Sequence, residues 1–154
     1  MNIHHLRRSQ IVPAPRDKVF EFFSNAGNLE RITPPELKFQ VTTPQPIEMF
    51  AGTLIDYRLQ LFGVPFGWRT LIEEWVPGRS FVDRQLKGPY ALWRHTHSFA
   101  DDPGGTRMDD HVAYAVGFGP FGAIARSLFV TRQVEGIFDF RASVISQVFP
   151  SDPS

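Results

Sequence analysis

From Phe121 to Phe149 the chain carries no proline, although the whole sequence holds 13, and this stretch limits the fold more than any other. It has the length of one helix of about seven turns. Val130, Val134, Ile137, Val144 and Val148 recur at four-three spacing. Phe138, Ile145 and Phe149 widen that stripe, while Arg132, Glu135, Asp139, Ser143 and Ser146 collect on the other side. The pattern predicts a helix laid across a concave apolar surface with its back to water. Arg141 falls inside the stripe, between Ile137 and Val144. Ile124, Leu128 and Phe129 face another way, so the first two turns are expected to meet a different surface.

What precedes the helix reads as strands. Residues 2–12 suit a first strand, ended by Pro13 and Pro15. Pro15 and Asp17 open a short helix through Val19, Phe20, Phe22 and Phe23, stopped by Asn25 and Gly27. A second short helix, Asn28 to Ile32, ends at Thr33-Pro34-Pro35, and Leu37 to Thr43 reads as a strand. Thr53–Leu61 and Phe66–Val76 follow, joined by an apolar tip Phe62-Gly63-Val64-Pro65. Ser80–Leu86 and Tyr90–Ala100 flank a turn at Lys87-Gly88-Pro89, and Thr106–Val116 follows Asp101-Asp102-Pro103-Gly104-Gly105. Gly117 to Gly122 reads as a flexible apolar link to the helix, and 150–154 as a frayed tail. Hairpin-connected strands followed by one long helix predict an α+β domain over 1–149: a curved antiparallel sheet of about seven strands gripping the C-terminal helix, with two short helices after the first strand.

Bulk properties remove several functions. Sixteen basic and 16 acidic side chains give a formal net charge of zero, without a long basic run, so no nucleic-acid partner is expected. With no cysteine, disulfides, thiolate metal sites and cysteine nucleophiles are excluded. Met1 to Gln10 shows no signal-peptide core and no apolar run spans a bilayer, so a cytoplasmic protein without stable membrane insertion is expected. Fifteen phenylalanines point to an aromatic-rich interior. The spaced glycines 117, 119 and 122 do not open a dinucleotide unit, and Ser24, Ser98 and Ser127 sit in no nucleophile elbow.

Several stretches carry a more specific likeness. They are Asn28-Leu29 with Ile32-Thr33-Pro34-Pro35 and Leu37, then Phe81-Val82-Asp83 with Gln85 and Gly88-Pro89-Tyr90. Trp93, His95, His97 and Phe99 follow at alternate positions, as do Asp110, Val112 and Tyr114, and then Ile137-Phe138 with Phe140-Arg141. In these the chain resembles the START-like, or SRPBCC, superfamily with its helix-grip fold, in its bacterial ligand-binding branch. The resemblance covers nearly the whole chain and implies a cavity for a hydrophobic or amphipathic small molecule. It does not imply a single reaction, since the fold also hosts polyketide cyclases. It implies no cofactor and no metal, and leaves monomer or homodimer open.

Strand periodicity sorts the candidate residues by face. Phe81, Asp83 and Gln85 share one face, as do Trp93, His95, His97 and Phe99, and Met108, Asp110, Val112 and Tyr114. Their large apolar members point these faces at the helix. Folding about Gly88-Pro89 sets Asp83 near His95 and Gln85 near Trp93. Folding about Pro103-Gly104 sets His97 opposite Asp110 and Trp93 opposite Tyr114. The expected outcome is a row of Asp–His contacts in an apolar pocket, with Arg141 reaching in from the helix.

Such a row has four readings: a buried network that only shapes the interior, a set of ligand-orienting groups, an acid–base site, and a metal site. For ligand binding the candidates are Trp68, Asp83, Gln85, Trp93, His95, His97, Phe99, Asp110, Tyr114, Phe138 and Arg141, with Arg141 suited to an anionic head group. For catalysis they are His95, His97 and Asp110, in a cyclase, dehydratase or aromatase. His95 and His97 could also bind a metal with Asp83 or Asp110, a reading the resemblance does not support.

Smaller expectations complete the reading. His4 and His5 are expected to be solvated, and His111 to be exposed on the far face. Trp68, Thr70 and Ile72 should line the interior with Trp75 on the alternate face, and at least one of Glu73 and Glu74 must point outward. The apolar tip Phe62–Phe66 and the link 117–122 are placed at the cavity mouth.

Overall fold

A computed structural model describes residues 3–116 and 123–151, and in the long helix the side chains from Phe129 onward. Seven antiparallel strands form one sheet in the order β1-β7-β6-β5-β4-β3-β2. They are β1 (His4–Val12), β2 (Gln40–Val41), β3 (Leu54–Leu61), β4 (Val64–Val76), β5 (Ser80–Lys87), β6 (Tyr90–Asp102) and β7 (Gly105–Val116). Helices α1 (Arg16–Ser24) and α2 (Asn28–Arg31) follow β1, and α3 (Ala123–Val148) ends the fold. This is the expected α+β helix-grip arrangement. The predicted helix start at Phe121-Gly122 and the link 117–122 lie outside the described residues, as do the side chains of Ile124, Ser127 and Leu128.

The periodicity of α3 explains its seat. Val134 and Ile145 are fully buried, Phe138 and Arg141 nearly so, and these four form the innermost row. Burial of each apolar member stabilises by roughly 1.5–3 kcal/mol. Arg132, Glu135, Asp139, Ser143 and Ser146 are exposed, as the pattern requires. Under the C-terminal half of α3, Ile145 packs with Val19, Phe20, Phe22 and Phe23 of α1 and with Phe81, Phe99 and Met108 of the sheet. Under its N-terminal half, Val134 and Phe138 pack with Leu59, Leu61, Tyr90, Val112 and Tyr114.

Three local expectations need correction. The strand predicted over Leu37–Thr43 shrinks to Gln40–Val41, because Pro35–Leu37 forms a 3₁₀ turn and Lys38 takes a left-handed φ of 48°. The β3–β4 tip is tighter than predicted: Phe62 (φ 52°) and Gly63 (φ 76°) alone make the turn, and Val64 and Pro65 pair with Leu61 and Gln60. Two consecutive positive φ values describe a type I′ hairpin.

The third correction concerns β4, where a bulge between Ile72 and Glu74 changes the alternation. Trp75 is thereby returned to the inner face, against Phe20 and Phe81, rather than the alternate face. Both Glu73 and Glu74 then reach the same guanidinium, Arg94, at 3.1 and 4.0 Å.

Candidate functional site

The central strands register as the turns predict. Asp83 of β5 faces His95 of β6, and on the other side of β6 His97 faces Asp110 and Trp93 faces Tyr114. The short contacts nevertheless run diagonally. His97 Nε2 lies 2.6 Å from Asp83 Oδ2, and His95 Nε2 lies 2.7 Å from Asp110 Oδ1. The directly opposed pairs are longer, 3.8 Å for His95–Asp83 and 3.6 Å for His97–Asp110. Diagonal neighbours on one sheet face lie within reach of long side chains, so either pairing is open to them.

Arg141 descends from α3 onto this square. Its Nη2 is 3.4 Å from Asp110 Oδ1 and 3.4 Å from His97 Nδ1. A guanidinium can only donate, so His97 Nδ1 accepts and its Nε2–H donates to Asp83. The Arg141 carbon centre also lies 5.0 Å from the Phe23 ring and 5.4 Å from the Phe138 ring. The two imidazoles stack at 3.5 Å, and Phe81 covers the other face of His97 at 4.0 Å.

Burial and charge pull against each other here. His95, His97, Asp110 and Arg141 are 4, 2, 5 and 7 % exposed. Burial pushes His97 down to about 4, with the charge of His95 acting in the same direction and the Asp83 hydrogen bond opposing. Burial would raise the Asp83 carboxyl, but the hydrogen bond from His97 and the positive neighbours hold it below its usual value. Burial opposes ionisation of Asp110 too, and is outweighed by the Arg141 charge and the His95 hydrogen bond. The result is a set of two carboxylates, one guanidinium and a neutral His97, bonded mainly to each other. Asp83, His95 and His97 offer nitrogen and oxygen atoms within 4.8 Å of one another, a spacing compatible with a metal ion. Arg141 occupies the flank of His97 Nδ1 and competes for that atom.

The remaining candidates fall into other surroundings. Trp68, Trp93 and Tyr114 form an aromatic block with Tyr90, with ring centroids of 5.4 Å for Trp68–Trp93 and 4.9 Å for Tyr90–Trp93. Phe138 stands edge-on to His95 at 5.3 Å. Phe99 belongs to the α1 side, 5.3 Å from Phe20. Gln85 is used by the β5–β6 turn, where its amide donates to Tyr90 O at 2.8 Å and accepts from Tyr90 N at 3.1 Å. His4 is not simply solvated but half-buried and stacked on Tyr114 at 5.3 Å. His111 does lie on the outer face, half-buried rather than exposed, with its Nε2 2.9 Å from His5 Nδ1.

The large pocket lies elsewhere. It holds about 790 Å³ between the β3–β4 hairpin and the N-terminal half of α3, lined by Leu61, Phe62, Val64, Phe66, Pro89, Tyr90, Val116, Phe129, Val130 and Gln133. None of the eleven ligand-binding candidates is on that wall. Sequence reasoning places Phe62–Phe66 at a cavity mouth, and its remaining signal is apolar side chains in a tip and in the first turns of α3. Phe62 and Phe129 are 64 and 61 % exposed, a costly display of aromatic surface. Burial, with Tyr114 adding to it, pushes the Tyr90 hydroxyl up, so it remains protonated. A smaller crevice of about 170 Å³, beside Arg8 and Gln10 of β1, reaches Asp110 and Arg141 from the sheet edge.

With the geometry in place, the comparisons are consistent with it. The family described as polyketide cyclase / dehydrase and lipid transport matches residues 4–145. The chain belongs to that family, within the START-like class that its fold defines. Among solved structures it is similar to the protein TTHA0849 from Thermus thermophilus, with a TM-score of 0.72 at 18% identity, covering 94% of this chain and 99% of that one. It is similar as well to the Zhui aromatase/cyclase from Streptomyces sp. R1128, with a TM-score of 0.68 at 16% identity over 99% and 100% of the two chains. A START superfamily protein from Mycobacterium smegmatis gives 0.68 at 13% identity over 94% and 99%. At these identities the likeness is one of fold. No curated protein matches the sequence. No described helix is long and apolar enough to cross a membrane.

Proposed function

We propose that the chain binds a hydrophobic or amphipathic small molecule in the pocket between the β3–β4 hairpin and the N-terminal half of α3. The observation that carries this is the pocket itself, about 790 Å³ and walled almost entirely by aliphatic and aromatic side chains. That is the size and chemistry in which drug-sized ligands lose most of their surface to protein. The alternative, a cyclase, dehydratase or aromatase using His95 or His97 as acid–base, needs substrate to reach rings that are all but closed off by Phe81, Phe138 and Arg141. A general base must come within hydrogen-bond reach of the proton it removes. The Asp–His–Arg set therefore serves this reading as the frame that seats α3 and keeps the pocket's far wall in place.

Nile red, a neutral dye whose emission rises in apolar surroundings, tests the assignment. It should bind the wild type saturably and with one site. Val130→Trp should weaken that binding at least tenfold by filling the pocket, with thermal unfolding reporting that the fold survives. Val64→Arg, which sets a charge at the exposed rim, should also weaken it. Undiminished binding by both folded variants would move the site elsewhere.

A further inference from the structure

Gln133 is out of keeping with its surroundings. It sits on α3 in the wall of an otherwise apolar pocket, one residue before fully buried Val134. Its Oε1 is buried and has no hydrogen-bond partner. Gln133 lines both the large pocket and a hollow of about 210 Å³ beside Pro34 and Leu37, too small for a ligand of that size. Buried side-chain acceptors are nearly always paired in folded proteins, and a leucine or methionine here would fill the wall without an orphaned oxygen. The missing partner is a donor, and a ligand in the large pocket would supply it once the Gln133 amide turns towards that space, since the oxygen is closed to water in the structure.

The wall also says what the ligand lacks. No lysine, arginine or histidine lines the pocket among the described residues. Arg141, the one buried cation among the described residues, is engaged with Asp110 and His97 beyond the aromatic block. An ionised carboxylate or phosphate would surrender its hydration there with no counter-charge from the described residues. Tyr90, which stays protonated, adds no charge of its own.

We infer that the pocket selects a neutral amphiphile, an apolar or aromatic body bearing a hydroxyl or N–H, and that Gln133 Oε1 accepts the hydrogen bond from that group. The inference rests on the proposed pocket reading and adds the polarity and charge of the ligand. It departs from the expectation that Arg141 would meet an anionic head group. Gln133 is thus a specificity residue: it contributes little to the binding of a purely apolar body and separates the hydroxylated from the bare one.

Three fluorescent probes of one shape test this: pyrene, 1-hydroxypyrene and pyrene-1-carboxylate, titrated at neutral pH against wild type and Gln133→Met. Wild type should prefer hydroxypyrene to pyrene roughly tenfold, as expected for one buried hydrogen bond. The carboxylate should bind more weakly than both. Gln133→Met, similar in length and apolar, should bind pyrene within about twofold of wild type and lose the hydroxyl preference. Retained pyrene affinity also reports that the variant is folded. Equal binding of pyrene and hydroxypyrene, a preference that survives in Gln133→Met, or tightest binding of the carboxylate would overturn the inference and leave the pocket reading standing. Binding of none of the three by wild type would remove the pocket reading itself, and this inference with it.

Discussion

The two halves of α3 cover opposite kinds of interior. Beneath Phe138–Ile145 lie Asp83, His95, His97, Asp110 and Arg141, a concentration of titratable groups bonded to one another and, half-buried Asp83 apart, almost without exposure. Beneath Phe129–Gln133 lies space, walled by side chains of little chemical character and by one unpaired amide oxygen. The chemically rich region is bonded mainly within itself, with Arg141 Nε left buried and unpaired, and the plain region is open. Binding needs unmet contacts and room, so under the proposed function the groups that draw the eye in a sequence hold the scaffold, and the apolar ones around them receive the ligand. The largest test of this division is Arg141→Met. Losing the guanidinium leaves Asp110 buried without its cation, a change that typically costs about 3–5 kcal/mol. Urea unfolding should show a loss of that order, while Nile red affinity of the remaining folded protein stays within about twofold. A tenfold drop in affinity at unchanged stability would reverse the roles assigned to the two regions.

Acidification probes chiefly the chemically rich half. His97 is lowered in the folded state to about 4, chiefly by burial, from an ordinary 6.5. A folded-state value below the unfolded one means that the unfolded chain takes up this proton first. Stability conferred by neutral His97 is therefore complete above about 6.5 and is lost as the pH falls towards 4. Asp83 and Asp110, also lowered, add a second loss once the pH drops below their ordinary 3.8. One proton gives a slope of at most about 1.4 kcal/mol per pH unit, readable as a falling urea midpoint. His97→Gln keeps a donor for Asp83 and does not titrate, so the slope above pH 4 should shrink in that variant to what other groups contribute, His111 on the outer face among them, which burial also lowers. A wild-type midpoint that is flat over this range would mean that His97 is not held neutral by its surroundings.

How much of this the sequence shows follows from what periodicity encodes. Alternation and the turns at Gly88-Pro89 and Pro103-Gly104 fix which residues share a face and which stand opposite, so the Asp83–His95 and His97–Asp110 registers are legible. Alternation assumes an unbroken ladder, and the extra residue at Ile72/Glu74 carries Trp75 to the other face without a glycine to announce it. A face, moreover, does not distinguish filled space from empty. Trp68, Trp93 and Tyr114 have the right orientation to line a cavity, yet they consume it by packing on each other. Gln85 shares their face but is bound by the next turn. Where volume is left over depends on the fit of whole side chains in three dimensions, and no spacing records that.

The smallest effect is expected at the rim of the open half. Phe62 occupies the first position of a two-residue turn with φ at 52°, a conformation that asparagine and glycine accept and a bulky aromatic does not favour. It also leaves most of its ring in water. Both features work against folding, while the same ring completes the pocket wall beside Phe66 and Phe129. Phe62→Asn should therefore raise stability by about 1 kcal/mol, since asparagine-glycine is the favoured pair for this turn. The same variant should lose Nile red affinity a few-fold, because part of the wall is gone. Opposite signs in the two measurements would place Phe62 among residues kept for binding at a cost to the fold. A loss of stability would instead show that the ring packs against the hairpin and α3 strongly enough to offset its backbone, and the rim would then be part of the scaffold.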